Sequence, residues 1–228
     1  MSPVIELRQY TLHPGKRDVL IALFERELVE SQEAAGMDLI GTFREAGDPD
    51  RFVWLRGFPD MESRARSLGA FYGGPIWQAN RNAANATMID SDNVLLLRPA
   101  WAGSGFAADG ARAPHGATAL PPGLVTATLC YFPAPVTEMQ IAAFRRLLPE
   151  RCAEAGTNLA AALVTEDSQN TFPALPVREG EHVFAWFSVL ADAASVHAIA
   201  LPPEIERALS KPPEVLRLYP TARSRLHG

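Results

Sequence analysis

The chain repeats itself. The stretch VIELRQYTLHPGKRDVLIALFERELVESQEAAGMDLIG, from Val4, and the stretch LVTATLCYFPAPVTEMQIAAFRRLLPERCAEAGTNLAA, from Leu124, align without a gap at a constant offset of 120 residues. Identical residues share that register: Ile21 and Ile141, Phe24 and Phe144, Leu28 and Leu148, Gly36 and Gly156, Leu39 and Leu159. After an insertion around DSQNTFPALPVREG, Phe52, Trp54 and Asp60 meet Phe184, Trp186 and Asp192. After a compensating deletion, Val94, Leu95, Leu97 and Pro99 meet Val215, Leu216, Leu218 and Pro220. A fixed period constrains the fold more than any local pattern, because each copy must be one structural unit and the copies must pack together.

Within the first copy, Val4 to Leu12 alternates as a strand, with Ile5 and Leu7 on one face and Glu6, Arg8 and Tyr10 on the other. Pro14 and Gly15 break it, and Asp18 to Ala35 is helical, with Gly36 as its stop. Asp38 to Ala46 and Arg51 to Phe58 read as two strands about the turn AGDPD. A second helical region runs from Pro59 to about Asp90, interrupted at Gly73-Gly74-Pro75, and Asn93 to Arg98 is the last strand. The order β-α-β-β-α-β is the ferredoxin-like unit. Its counterparts in the second copy are strands at Leu124–Phe132, Asn158–Thr165, His182–Leu190 and Glu214–Tyr219, with helices at Thr137–Ala155 and Asp192–Leu209. Trp101 to Pro122, rich in Ala, Gly and Pro, reads as the linker.

The expected organisation is residues 1–100, linker 101–122 and residues 123–228. A ferredoxin-like sheet leaves one face bare, and two such faces can bury each other. The predicted class is α+β: two tandem ferredoxin-like βαββαβ units packed sheet to sheet as an α+β barrel within one chain.

Several function classes are excluded or disfavoured. Net charge is -5 with no basic run, so no nucleic-acid partner is expected. No apolar stretch approaches the roughly 20 residues that span a bilayer, so no membrane partner is expected. The start MSPVIELRQY enters a strand pattern directly, and the expected location is cytoplasmic. Cys130 and Cys152 have no Cys-x-x-Cys spacing and are expected as reduced, partly buried thiols. His13, His115, His182, His197 and His227 lack metal-ligand spacing, and no phosphate loop, dinucleotide fingerprint or Gly-x-Ser-x-Gly elbow is present. No metal and no cofactor are expected.

ELRQY followed by Pro14-Gly15 resembles the opening signature of the NIPSNAP family, and Phe52-Val-Trp-Leu-Arg, Arg64 and Pro75-Ile-Trp77 resemble that family's second half. The resemblance covers about residues 3 to 100, and the second copy lacks the ELRxY motif. It implies a dimeric α+β barrel superfamily fold, a group that also holds cofactor-independent monooxygenases, isomerase- and decarboxylase-like enzymes and haem-binding relatives.

The two copies differ systematically. Glu6, Arg8 and Tyr10 align with Thr126, Thr128 and Cys130, while Arg44, Arg56 and Arg64 align with Val164, Ser188 and Val196. Trp77 has no counterpart. Glu6 and Arg8 on a covered strand must be paired or must border a cavity. The first copy is therefore the expected ligand site, with Glu6, Arg8 and Tyr10 as catalytic candidates. Arg44, Trp54, Arg56, Arg64, Phe71, Tyr72 and Trp77 are the substrate-binding candidates, arginines for an anionic or carbonyl group and aromatics for a wall. The plainer readings are a solvated Glu6–Arg8 pair at a strand end, rim positions for Arg44 and Arg56, a surface position for Arg64, and ordinary core for Trp54, Phe71, Tyr72 and Trp77.

The expected function is a cofactor-independent enzyme of small-molecule metabolism, monooxygenase-, isomerase- or cyclase-like, acting on a carbonyl-bearing or aromatic metabolite. The alternatives are a non-catalytic NIPSNAP-type binding or scaffold protein and a haem-binding barrel using His182 or His197. A monomeric barrel and a homodimer of barrels are both compatible with the sequence.

Overall fold

The computed structural model describes residues 2–107, 110–190 and 199–228. The first unit consists of β1 (Val4–Leu12), a helix, β2 (Asp38–Glu45), β3 (Arg51–Phe58), α3 (Met61–Gly73), α4 (Pro75–Asn85) and β4 (Met88–Pro99). Its first helix is α1 (Arg17–Leu23), a π-turn at Phe24–Leu28 and α2 (Val29–Ala34). The second unit has β5 (Leu124–Phe132), α5 (Glu138–Glu154), β6 (Asn158–Thr165), β7 (His182–Leu190), α6 (Pro203–Glu206) and β8 (Glu214–Pro220). The helix expected from Asp192 begins in residues outside those described. β4 starts earlier than the sequence pattern shows, at Met88, because Thr11 and Leu12 continue to pair with Asp90 and Met88 across a register shift. Period-two alternation is weak there, since that end of β4 is largely exposed.

The repeat survives as register. Val4 faces Phe58 and Tyr10 faces Phe52 across β1–β3; Leu124 faces Leu190 and Cys130 faces Phe184 across β5–β7, the same pairs under the repeat. A bulge between Leu39 and Gly41 recurs between Leu159 and Ala161. The eight strands close into a barrel in the order β1-β3-β2-β8-β5-β7-β6-β4. Each unit therefore keeps the ferredoxin-like order, and the units join edge to edge. Phe43 pairs Pro220 and Arg44 pairs Tyr219 at one seam; Leu163 pairs Pro99 and Val164 pairs Arg98 at the other. The seams are related by the repeat, as in a two-fold interface.

Alternation then sorts the side chains. Ile5, Leu7, Val53, Leu55, Leu95 and Leu97 fill the lumen with Val125, Ala127, Leu129, Ala185 and Phe187 of the second unit. The segment after β4 adds Phe106, buried against Phe187 at a ring separation of 5.0 Å. The opposite faces pack on the helices: Phe52 and Trp54 on Phe24 and Leu28, and Phe184 and Trp186 on Phe144 and Leu148. Cys130 and Cys152 are free, and both are fully buried rather than partly so. Among the described residues no helix is long and apolar enough to cross a membrane.

Helix caps explain the matched glycines. Gly36 and Gly156 follow α2 and α5 with φ of 91° and 68°, the left-handed region where a side chain costs about 1–2 kcal/mol. An added Cβ at Gly156 meets nothing within 4 Å, whereas at Gly36 it meets Ser67 Oγ at 3.1 Å. Gly156→Ala should lose about 1 kcal/mol in urea unfolding, and Gly36→Ala at least as much.

Candidate functional site

The outer face of β1 and β3 lies under α3, and there the sequence places charge where the rest of the layer is apolar. Glu6, Arg8, Arg56 and Arg64 are all essentially inaccessible to solvent. They form one cluster. The Glu6 carboxylate accepts from Arg56 Nε (2.7 Å) and Arg8 Nη1 (2.9 Å) on Oε2, and from Arg64 Nε (2.6 Å) on Oε1. The strand period brings Glu6 and Arg8 to one face, and pairing of Glu6 with Arg56 across β1–β3 adds the third group. The first turn of α3, capped by Asp60 accepting from Ser63 N, aims Arg64 down onto them.

The remaining bonds fix each guanidinium. Arg8 Nε donates to the Tyr10 hydroxyl at 3.0 Å, and Arg56 Nη1 donates to Gln32 Oε1 at 3.0 Å. Arg64 Nη1 donates to Asn170 Oδ1 at 2.9 Å. Trp54 lies beneath, its ring 5.5 Å from the Arg8 guanidinium carbon and 4.9 Å from that of Arg56, and edge-on to Tyr10. Phe71, Tyr72 and Trp77 contact one another at ring separations of 4.9 to 5.6 Å.

One carboxylate meets three guanidiniums, so the cluster carries two uncompensated positive charges. Among the described residues three buried donors of the cluster have no partner: Arg56 Nη2, Arg64 Nη2 and Trp54 Nε1. Among the described bonds the Tyr10 hydroxyl accepts from Arg8 and its own proton has no acceptor. The titration behaviour follows from these neighbours. Burial alone would raise Glu6, but Arg56, Arg8 and Arg64 outweigh it and hold the carboxyl far below its ordinary range. Burial opposes the charge on Arg8, yet Tyr10 and Glu6 raise its pKa; Arg64 is lowered, chiefly by burial. Burial raises Tyr10, which stays a neutral phenol at physiological pH.

Most of the sequence-designated residues are thus brought together: Glu6, Arg8, Tyr10, Trp54, Arg56 and Arg64 in the cluster, with Phe71, Tyr72 and Trp77 in the adjoining aromatic layer. Glu6 and Arg8 do not form a solvated pair at a strand end. Arg44 stands apart, on β2 at a seam, its Nε donating to Asp18 Oδ1 at 2.8 Å. Residues without a sequence signal also take part. Gln32 comes from the helix, and Asn170, Thr171 and Phe172 come from the second unit's insertion. No local pattern links Asn170 to Arg64, 106 positions away.

The first unit's cluster is closed by protein: Glu6, Arg8, Tyr10, Trp54, Arg56 and Arg64 line none of five cavities of about 250 to 670 Å3, and only Asn170, reaching Arg64 from the second unit, borders one of them. On the equivalent face of the second unit, Thr126, Thr128 and Trp186 line a cavity of about 460 Å3. Among the described residues no group of His, Cys, Asp and Glu could hold a metal.

The charge balance makes the cluster asymmetric to mutation. Glu6→Gln leaves three buried cations without a counter-charge and should cost about 3–5 kcal/mol in urea unfolding. Arg64→Met keeps Glu6 paired twice and should cost less than half of that. Because the folded carboxyl titrates below its ordinary value of 4.5, its stabilisation is complete above that pH and is lost as the pH falls below it. Acid unfolding of Glu6→Gln should accordingly depend less steeply on pH below 4.5 than that of the native chain.

Comparisons with known proteins agree with this architecture. No curated protein sequence matches the chain significantly. A candidate monooxygenase from Fusobacterium nucleatum superposes with a TM-score of 0.57 at 8% identity, covering 100% of this chain and 96% of that one. A second candidate monooxygenase, from Lactobacillus acidophilus, gives 0.55 at 13% identity, covering 96% and 94%. At these identities the likeness concerns the fold alone. An uncharacterised NIPSNAP-like domain protein from Burkholderia xenovorans is 30% identical over 42% of this chain and 84% of its own, with a TM-score of 0.39. The NIPSNAP family model matches residues 5–102, the half that carries the buried cluster. Through that half, the chain belongs to the NIPSNAP family.

Proposed function

We propose that the first unit, residues 1–100, binds a small anionic metabolite bearing a carbonyl or aromatic group, and that it is a cofactor-independent enzyme acting on that metabolite. The observation that carries this reading is the double positive excess in a solvent-inaccessible cluster whose Arg56 Nη2, Arg64 Nη2 and Trp54 Nε1 donors have no partner among the described residues. A buried cation without a partner is costly, and a carboxylate or enolate would supply both the charge and the acceptors.

The residues divide the work by their chemistry. Glu6 holds no proton to give and is a poor base, because three guanidiniums stabilise its charged form. Its role is to position them. Arg8 and Arg64 hold the anionic group, and Arg56 stabilises negative charge developing on a carbonyl oxygen. Tyr10 is a neutral phenol with a free proton and acts as the general acid. Phe71, Tyr72 and Trp77 wall the apolar part. Such a set suits enolisation beside a carbonyl: Tyr10 gives its proton to the carbonyl oxygen, its oxygen, held by Arg8 Nε, takes the proton from the adjacent carbon, and the reverse transfer restores the keto form, the step shared by isomerase- and cyclase-like reactions.

A second reading is a binding or scaffold protein without catalysis, and the closed packing over the cluster favours it. Phenylpyruvate, a planar aromatic 2-keto acid, distinguishes the two. The native chain should bind it, and Arg8→Ala should weaken binding at least tenfold while the protein remains folded. It should also accelerate deuterium incorporation at the phenylpyruvate methylene carbon above the buffer rate, and Tyr10→Phe should abolish that acceleration. Binding without accelerated exchange supports the scaffold reading. Equal binding by folded Arg8→Ala removes the cluster as the site.

A further inference from the structure

The insertion that interrupts the internal repeat lies between β6 and β7 of the second unit, yet it is laid over the first. Its two ends are stitched to β4: Glu166 N donates to Leu96 O at 2.9 Å and Arg178 N to Val94 O at 2.8 Å. The two stems of the insertion border a cavity of about 340 Å3 lined by Leu96, Asn170, Val177 and Arg178. The tip of the arch rests on α3. Thr171 Oγ1 donates to Met61 O at 2.9 Å, and the Phe172 ring stacks on Tyr72 at 6.0 Å with 23° between planes. Phe172 and Leu175 pack against the first unit's outer core.

Asn170 joins this tip to the charge cluster. Its Oδ1 accepts from Arg64 Nη1 and also from Phe172 N (3.0 Å), while its Nδ2 donates to Leu175 O (3.0 Å). One amide therefore sets the position of a site arginine and the shape of the loop that covers it. Among the described residues the tip is held to the first unit by three hydrogen bonds, the half-buried Phe172–Tyr72 stack and the apolar packing of Phe172 and Leu175. Those bonds exchange with water at small net cost, whereas the Glu6 ion pairs below do not. With its base fixed on β4 and its tip held by side-chain contacts, the tip can lift without disturbing the barrel, the low-stability behaviour expected of an access element.

We propose that the second unit's insertion is the access gate of the first unit's cationic site, with Phe172 as the closing side chain and Asn170 as the residue that positions Arg64. The covering of the cluster is a property of the insertion, not of the first unit alone. Function of the gate rests on the reading of the cluster as a ligand site, but its opening can be measured without any ligand.

Phenylglyoxal reacts with accessible guanidinium groups, and peptide mass spectrometry resolves which arginines it labels. In the native chain Arg8, Arg56 and Arg64 should label slowly. Phe172→Ala should speed labelling of Arg8 and Arg64 at least tenfold, and Asn170→Ala should speed Arg64 more than Arg8. Arg223, buried elsewhere against Glu30, is the internal control and should not change. Unchanged labelling of Arg8 and Arg64 in Phe172→Ala overturns the gate, and so does a parallel rise at Arg223, which marks general loosening. Phenylpyruvate should slow the accelerated labelling of Phe172→Ala. Fast labelling without such protection retains the gate and rejects the anion-site reading beneath it.

Discussion

A four-stranded ferredoxin-like sheet has two unpaired edges and one bare apolar face, and nothing within the unit can satisfy either. Unpaired edge groups seek another strand, and a bare face seeks another surface. Joining β2 to β8 and β4 to β6 meets both needs at once, because closing the edges also turns the two bare faces inward. Every later feature depends on this closure. Once the lumen is filled by side chains from both sheets, the outer faces under the helices become the places where the two copies can diverge.

That divergence is governed by the cost of burying charge. In the second unit the outer face of β5 and β7 carries Thr126, Thr128, Cys130 and Ser188, which make few demands on their surroundings. In the first unit the same positions carry Glu6, Arg8, Tyr10 and Arg56, and the arrangement must be complete to be tolerable. Glu6 binds all three guanidiniums through both of its oxygens. A second carboxylate would neutralise the cluster further, and none is paired with Arg8, Arg56 or Arg64 among the described residues. A cluster serving stability alone would gain from such a partner, or from replacement by small uncharged residues as in the second copy. The retained positive charge is the observation on which the proposed anion site rests.

Much of the fold was legible because the period could be counted. Matched residues such as Phe24 and Phe144, Trp54 and Trp186, and Gly36 and Gly156 occupy equivalent places, since cores and left-handed caps depend on local pattern. The inward and outward faces of β1 and β3 also followed from alternation. The cluster was legible only as a set of suspects: alternation put Glu6 on the face with Arg8, and the copy-to-copy difference marked Arg56 and Arg64. Arg44 was grouped with them by the same difference, but β2 carries it to a seam beside Asp18. Pairing partners set by strand order are non-local information, and a list of unmatched residues does not contain them. Gln32 illustrates the same limit, as its i−4 bond to Leu28 O is ordinary helix chemistry and only its other end reaches Arg56.

The insertion shows most clearly what tandem fusion changes. In a symmetric pair of identical units, any loop covering one site would have a twin covering the other. Here the loop between β6 and β7 is long and reaches the charged face, while the corresponding turn between β2 and β3 spans only the few residues from Glu45 to Arg51. The neutral face of the second unit receives no equivalent cover from that turn, and the charged face receives Asn170, Thr171 and Phe172. Fusion thus permits a division of roles that symmetry forbids: one unit keeps the polar groups, and the other supplies the segment that excludes water from them. Exclusion of water strengthens every interaction between Glu6 and the arginines, and the same low dielectric would strengthen their hold on the anion proposed to bind there.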